Sequence, residues 1–261
     1  MRRIHAFEWH ELPGCPTAWR NAFTDFMSFY AERFAPYKGV VGQLEEALGR
    51  ANTMRIVDLC SGAGSSVLSL LPNLERHLGR RPEVTLTDKY PNQEAFRELE
   101  RKGVASCVLE SVDAARVPAF VMGFRTIFAA FHHMDQPEAQ AVLADAVAQH
   151  AGIGIFEYTE RRLLLWTLPL LLLPALMWLL VPFIRPFRWQ RSLWTYLVPV
   201  VPLMGVWDSF VSCLRTYTVD ELRSMASVHP EFEWRAGQVP SLGLSRVTYL
   251  VGWPRSQAHD S

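Results

Sequence analysis

Residues 56–64 read Ile56-Val57-Asp58-Leu59-Cys60-Ser61-Gly62-Ala63-Gly64, an apolar strand running into a turn with two glycines. A second short strand, Val84-Thr85-Leu86-Thr87-Asp88, follows and ends on a carboxylate. Two parallel strands joined by a helix, each ending in a polar turn, make a βαβ nucleotide site. Its glycines let the backbone approach a ligand, and its second-strand acid takes a ribose diol.

The spacing suits a dinucleotide or S-adenosylmethionine, and the turn decides between them. A dinucleotide fingerprint calls for a third glycine where this chain has Val67. Asp58, just before the turn, would repel a pyrophosphate, whereas it suits a cationic sulfonium and an amino-acid ammonium. The reading favours S-adenosylmethionine.

Four stretches in order resemble the motifs of class I S-adenosylmethionine-dependent methyltransferases, over roughly residues 51–160 with a return at 208–253. Val57 to Gly64, with Asp58, Cys60, Ser61, Gly62 and Gly64, is similar to the family's first motif, whose turn contacts the methionine portion. Asp88, followed by Lys89, resembles the acid that holds the ribose. Glu110-Ser111-Val112-Asp113-Ala114 resembles the third-strand exit, which implies that Asp113 and the next backbone amide at Ala114 address the adenine edge. Ile127 to Met134, containing Phe131, His132 and His133, resembles the fourth strand and the loop facing the transferred methyl. The resemblance implies S-adenosyl-L-methionine as cofactor.

The 261 residues suffice for one large α/β domain with additions, and 26 lysines and arginines balance 26 acids. Nothing in that balance asks for a nucleic-acid partner. Cys15, Cys60, Cys107 and Cys213 are scattered without ligand spacing, as reduced thiols are, and no metal is expected. No acid cluster follows strand five in a chelating pattern. No signal peptide is evident behind Met1.

Helical spacing covers 17–35 and 39–49, with Phe23, Phe26, Phe29, Tyr30 and Phe34 crowding the first helix. Strands are expected at 54–59, 83–87, 105–109, 126–131 and 152–157, and helices at 65–78, 92–102 and 137–149. Two more strands are expected at 231–234 and 247–251. The fold class is therefore α/β, a doubly wound, mostly parallel seven-stranded sheet. The resemblance implies that the last strand inserts antiparallel. The expected divisions are an N-terminal helical cap or lid (1–50), the cofactor-binding core (51–160), an apolar insert (161–207) and a segment completing the sheet (208–261).

Leu163 to Ile184 holds twenty-two residues without a charge, and a second uncharged run spans Ser192 to Trp207. As a helix the first would be about 33 Å long, enough to cross a bilayer core. A single crossing is awkward, because the strands that complete the sheet come after the insert. Pro169, Pro174 and Pro182, with Pro199 and Pro202, favour bent or broken helices. Arg161, Arg162, Arg185, Arg188 and Arg191 suit an anionic leaflet, and Trp166, Trp178, Trp189, Trp194 and Trp207 suit an interface. The expectation is a monotopic or peripheral protein on the cytoplasmic side of the inner membrane, with a small-molecule or lipid substrate. The alternatives are a soluble cytoplasmic enzyme whose insert is a dimer interface or pocket wall, and a non-catalytic S-adenosylmethionine-binding scaffold. A homo-oligomer is compatible with either.

Methyl transfer needs an acceptor aligned with the methyl and, for an oxygen or thiol acceptor, a base near neutral pKa. His132 and His133 are candidates by position and chemistry, and Glu157 at the end of strand five is a third. Tyr158 and Glu160 are weaker. His10, in Trp9-His10-Glu11, would enter a site only if the N-terminus folds over it. No Asn/Asp-Pro-Pro-aromatic motif follows strand four, so amino methylation of bases or glutamine loses support.

Overall fold

The strands expected from the apolar runs assemble into one sheet, seen in a computed structural model that describes residues 2–255. The side chains of residues 163–169 lie outside the described residues, and the expectation for Trp166 falls there. β1 (Arg55–Leu59), β2 (Glu83–Leu86), β3 (Ser106–Cys107), β4 (Phe124–Phe128), β5 (Ile153–Glu157), β6 (Phe232–Pro240) and β7 (Arg246–Pro254) lie in the order β3-β2-β1-β4-β5-β7-β6. The first five are parallel, and β7 is antiparallel to both of its neighbours. Every residue of β4 and β5 is buried, which is why these central strands lack polar alternation.

Helices cover both faces. On one, α2 (Val41–Arg50), α3 (Ser65–Leu78) and α4 (Gln93–Arg101) bury Leu44, Leu48, Val67, Leu70, Leu74 and Phe96 against Ile56, Val84 and Phe124. On the other, α5 (Gln136–Ala148) and α9 (Val219–Ala226) bury Leu143 and Leu222 against Val57, Ile127 and Ile155. Capping boxes fix two helix starts, Asp135 with Glu138 and Thr218 with Glu221.

Two boundaries differ from the sequence expectation for a local reason. β4 ends at Phe128, not at 131, because Ala129 adopts a left-handed φ of 50° and the chain then tightens into a 3-10 turn at Phe131–His133. The edge strand β3 keeps only Ser106–Cys107, whereas β6 runs on to Pro240 because its partner β7 continues beside it.

The apolar insert forms α6 (Leu163–Leu180), the short α7 (Trp189–Ser192), a π-helical turn at Leu193–Leu197 and α8 (Val200–Arg215). α6 runs through Pro169 and Pro174 unbroken. The breaks come at Pro182, in a 3-10 turn, and at Pro199, where the chain bends by 79°. Among the described residues no single helix is long and apolar enough to cross a membrane. α1 (Thr17–Phe34) packs with the insert in a third core holding Phe23, Phe26, Met177, Val181, Val201 and Met204. The expected cap and insert thus build one cover. Burial of Phe26 alone contributes about 2–3 kcal/mol to holding it.

Two arginines expected at a membrane surface are instead internal. Arg161 pairs with Glu221 on α9, and the buried Arg191 pairs with Asp25 on α1. Arg162, Arg185 and Arg188 remain exposed.

Candidate active site

The glycine turn follows β1 directly. Cys60, Gly62 and Gly64 take φ of 55°, 56° and 74°, a left-handed series that turns the backbone from the strand end into α3. At Gly62 a β-carbon would meet nothing within 4 Å, so the backbone there faces open space; at Gly64 it would strike Leu86 Cδ1 at 2.5 Å. α3 starts at Gly64 without any side-chain cap, leaving its first-turn amides available to an anion. The turn is tied to β2: Ser61 donates to the Thr87 carbonyl through both its amide and its hydroxyl, at 3.0 Å each.

Two carboxylates flank this turn. Asp58 is buried and accepts a 2.6 Å hydrogen bond from Thr126 Oγ1. Burial pushes its carboxyl up to about 8 against the pull of that bond, and Asp88 adds to the rise. Asp88 accepts from the amides of Gly62 and Tyr90, both at 2.8 Å. This donor set fits S-adenosylmethionine: open backbone, free helix amides, an acid for a ribose and a buried carboxyl that a neighbouring cation would ionise. Cys60 is no nucleophile, since burial and the surrounding carboxylates push its thiol up to about 12.

Asp113 is held by Lys89 at 2.9 Å and by the Ala115 amide at 2.9 Å, so it accepts from the amide one residue beyond Ala114. The Lys89 hydrogen bond keeps Asp113 below its usual carboxylate range. The Ala114 side chain is buried in the core. An open depression of about 710 Å³ lies beside this pair, lined by Lys89, Tyr90, Leu109 and Glu110. Phe131 does not line the turn: it is fully buried and packs on Tyr217 at 5.5 Å.

Beyond the turn lies a cavity of about 420 Å³. Ser61, Gly62 and Ala63 form one wall; Phe23, Phe26 and Tyr30 of α1 form another; Leu170, Leu173 and Leu176 of α6 close the apolar end. Glu8, His10, His133, Asp208 and Ser212, in contact with one another, make one end polar.

The three catalytic candidates separate here. Glu157 spends both oxygens on His132, one on its backbone amide at 3.1 Å and one on its Nδ1 at 2.7 Å. Burial pulls the His132 imidazole down, but the Glu157 carboxylate and its hydrogen bond outweigh it and the net direction is up. This pair clamps the turn after β4 to the end of β5. His132 and His133 both border the cavity: His132 Nε2 has no hydrogen-bond partner, and His133 has its Nδ1 2.6 Å from Glu11 Oε1. Burial and the adjacent His132 push it down to about 4, so it is neutral near pH 7. With Glu11 accepting the Nδ1 proton, the free lone pair is on Nε2.

Sequence reasoning missed Glu8, Glu11, Asp208 and Arg215. Glu8 is fully buried, and Arg215 grips Glu11 through two 2.8 Å contacts. The available signals were the odd Trp9-His10-Glu11 and the fact that Asp208 is the first acid after the long uncharged stretch.

No protein-family model and no curated protein matches the chain. Solved structures do. The plantazolicin methyltransferase BpumL, in complex with SAH, is 10% identical with a TM-score of 0.55, over 95% of this chain and 93% of that one. The O-methyltransferase NcsB1 from neocarzinostatin biosynthesis, in complex with S-adenosylmethionine and 2-hydroxy-5-methyl naphthoic acid, is 17% identical with a TM-score of 0.53, over 90% of this chain and 57% of that one. A putative O-methyltransferase from Nostoc punctiforme PCC 73102 is 14% identical with a TM-score of 0.51, over 97% of this chain and 64% of that one. The chain thus spans less than two thirds of the latter two. At such identities the likeness is one of architecture, and together with the sheet order it establishes that this chain has the fold of the class I S-adenosylmethionine-dependent methyltransferases.

Proposed function

We propose that the chain is an S-adenosylmethionine-dependent methyltransferase whose acceptor is a small, lipophilic molecule met at the cytoplasmic surface of the inner membrane. One observation carries the reading: the glycine turn is itself a wall of the apolar cavity, so a ligand on the turn and a molecule in the cavity share a boundary. Asp58, Ser61, Gly62, Gly64 and Asp88 are the residues to hold the cofactor, with Cys60 shaping the turn and Lys89 and Asp113 beside it. When bound, the cofactor supplies a methyl on a cationic sulfonium.

The chain's own task is then alignment and exclusion of water. Phe23, Phe26 and Tyr30 press on the acceptor from one side and the leucines of α6 from the other. His132 and His133 both border the cavity, and His132, with Nε2 unpartnered and its basicity held up against burial by Glu157, is the better placed to take a proton from an acceptor hydroxyl. That NcsB1 was solved with a naphthoic acid supports a compact aromatic or apolar acceptor here.

The membrane part of the proposal rests on the outer side of the same cover. Leu171, Leu179, Phe187, Trp189 and Leu197 are 63–77% exposed, beside the exposed Arg185 and Arg188. An apolar crown with basic neighbours suits an anionic lipid surface. The insert would then serve twice, as cavity wall inside and as anchor outside.

The test has two arms. Calorimetry with S-adenosylmethionine, then transfer of labelled methyl to a panel of phenols, quinols and long-chain alcohols, examines the chemistry; absence of cofactor binding would sink the enzyme reading. Co-sedimentation with anionic vesicles examines the surface, comparing the native chain with Leu171→Glu/Leu179→Glu/Trp189→Glu. Loss of vesicle binding with cofactor affinity retained supports the anchor, and a native chain that ignores vesicles removes it.

A further inference from the structure

The polar end of the cavity is built around an acid with one oxygen left over. Glu8 is fully buried. Its Oε1 accepts from Ser212 Oγ at 3.0 Å and lies 3.4 Å from Arg215 Nη1, which fixes the carboxylate in place. Its Oε2 has no hydrogen-bond partner. That oxygen sits 3.5 Å from His10 Nδ1 and 3.7 Å from His133 Nδ1. These separations are long for hydrogen bonds but close to the edge of a tetrahedron around a zinc-like ion, about 3.3 Å for metal–ligand bonds of about 2.0–2.1 Å. The ligand atoms of Glu8, His10 and His133 all lie within 4.8 Å of one another.

The surroundings also favour a cation. Glu8, Glu11 and Asp208 bring three carboxylates to this end of the cavity, with the Arg215 guanidinium on Glu8 and Glu11, Arg20 on the His10 carbonyl and Arg3 on the His132 carbonyl. Asp208 Oδ2 lies 2.9 Å from His10 Nδ1, and Glu11 Oε1 lies 2.6 Å from His133 Nδ1. An ion would displace the Nδ1 protons that these carboxylates now accept, leaving each imidazole as its Nε2–H tautomer, and would draw Asp208 and Glu11 in as neighbours or further ligands.

We propose that Glu8, His10 and His133 bind a divalent metal ion of the zinc class, with a remaining coordination position opening on the apolar cavity. Two imidazoles and one carboxylate form a donor set suited to zinc, with an open fourth position as in catalytic rather than structural sites. In the methyltransferase reading, on which this last step rests, that position takes the acceptor oxygen and makes its proton easier to lose. His133 would then be a ligand, the ion would acidify the acceptor hydroxyl, and the proton would pass to the unpartnered Nε2 of His132, which lines the same cavity. The metal site itself does not depend on that reading. The expectation of no metal considered acids after β5, whereas these ligands come from Glu8 and His10 in the N-terminal segment and from His133 in the turn after β4.

The experiment is titration of the tag-free, full-length chain with Co²⁺, followed by visible absorption and by competition with Zn²⁺, in the absence of cofactor and acceptor. The expected result is one Co²⁺ per chain with the d–d absorption of a four- or five-coordinate ion and no thiolate charge-transfer band. His10→Ala and the near-isosteric Glu8→Gln should each weaken binding at least tenfold, while His77→Ala, at a surface His–Glu pair 2.9 Å long, should not. Either cavity variant suffices if the other does not fold. Absence of a stoichiometric site, or affinity unchanged in a folded His10→Ala or Glu8→Gln, overturns the proposal. Because no methyl donor is present, a failed methyltransferase reading leaves this result intact.

Discussion

Thr126 Oγ1 donates a 2.6 Å hydrogen bond to Asp58 Oδ1 across the β1–β4 pair, where the two residues are register partners. The bond holds the carboxyl at the end of β1, yet burial outweighs it and leaves Asp58 near 8. At pH 6 Asp58 is therefore protonated in the ligand-free chain. A folded value raised above the unfolded one contributes stability that is lost as pH rises from about 4 towards about 8. A cationic ligand beside it reverses the balance and expels the proton. Cofactor affinity should accordingly rise with pH, by up to about tenfold per unit, and level off near pH 8. Calorimetry in two buffers of different ionisation enthalpy should show proton release at pH 6.5, and Asp58→Asn should abolish it. A pH-independent affinity without proton release would show that no cation settles near Asp58.

Glu157 and His132 should behave as a structural pair. Both are buried, and Glu157 holds the turn after β4 through a side chain and an amide at once. Glu157→Gln keeps the shape but removes the charge, and is expected to cost about 3 kcal/mol of stability. If Glu157 were instead the acceptor's base, the variant would melt normally and lose turnover alone. Urea titration beside a cofactor-binding assay distinguishes the two.

The sheet was legible because its signals are local. α3 occupies 65–78 as its apolar spacing predicts, since Gly64 starts it and Gly79 ends it in left-handed conformations. The cavity was not legible, because its parts lie far apart in the chain. Glu8 meets Ser212, His10 meets Asp208 and Glu11 meets Arg215, each across about two hundred positions. No period or motif marks such partners. The insert was half legible: its apolarity announced a buried or membrane-facing surface, but only its packing on α1 shows that one side is cavity wall. His132 and His133 stand side by side in sequence and both line the cavity, yet the 3-10 turn gives the Nδ1 of one to Glu157 and that of the other to Glu11.

The two turn glycines should fail in different ways. Gly64→Ala puts a β-carbon 2.5 Å from Leu86 Cδ1 at a φ of 74°, so it strains the start of α3 and should cost about 2–3 kcal/mol of stability. Gly62→Ala meets nothing within 4 Å and carries only the strain of its φ of 56°, about 1 kcal/mol. Its new methyl occupies the space a ligand must enter, so cofactor affinity should fall at least tenfold while the melting temperature changes little. Equal affinity in native and Gly62→Ala protein would move the cofactor away from this turn.

Arg215 is the clasp between the N-terminal segment and α8. Its guanidinium is buried, donates to both Glu11 oxygens at 2.8 Å and through Nε to the Ala6 carbonyl at 2.7 Å, and lies 3.4 Å from Glu8. Arg215→Met removes the cation while leaving the carboxylates in place, and breaking such a buried pair costs about 3–5 kcal/mol. The loss should appear first at the segment it holds: trypsin should cut at Arg2 and Arg3 sooner, before the sheet unfolds. Arg215→Lys should recover only part of the protection, because an ammonium cannot present two parallel donors to one carboxylate. Unchanged cleavage in Arg215→Met would mean that the aromatic contacts of Phe7 with Trp9 and Trp207, 5.5 and 5.4 Å between ring centres, hold the segment instead.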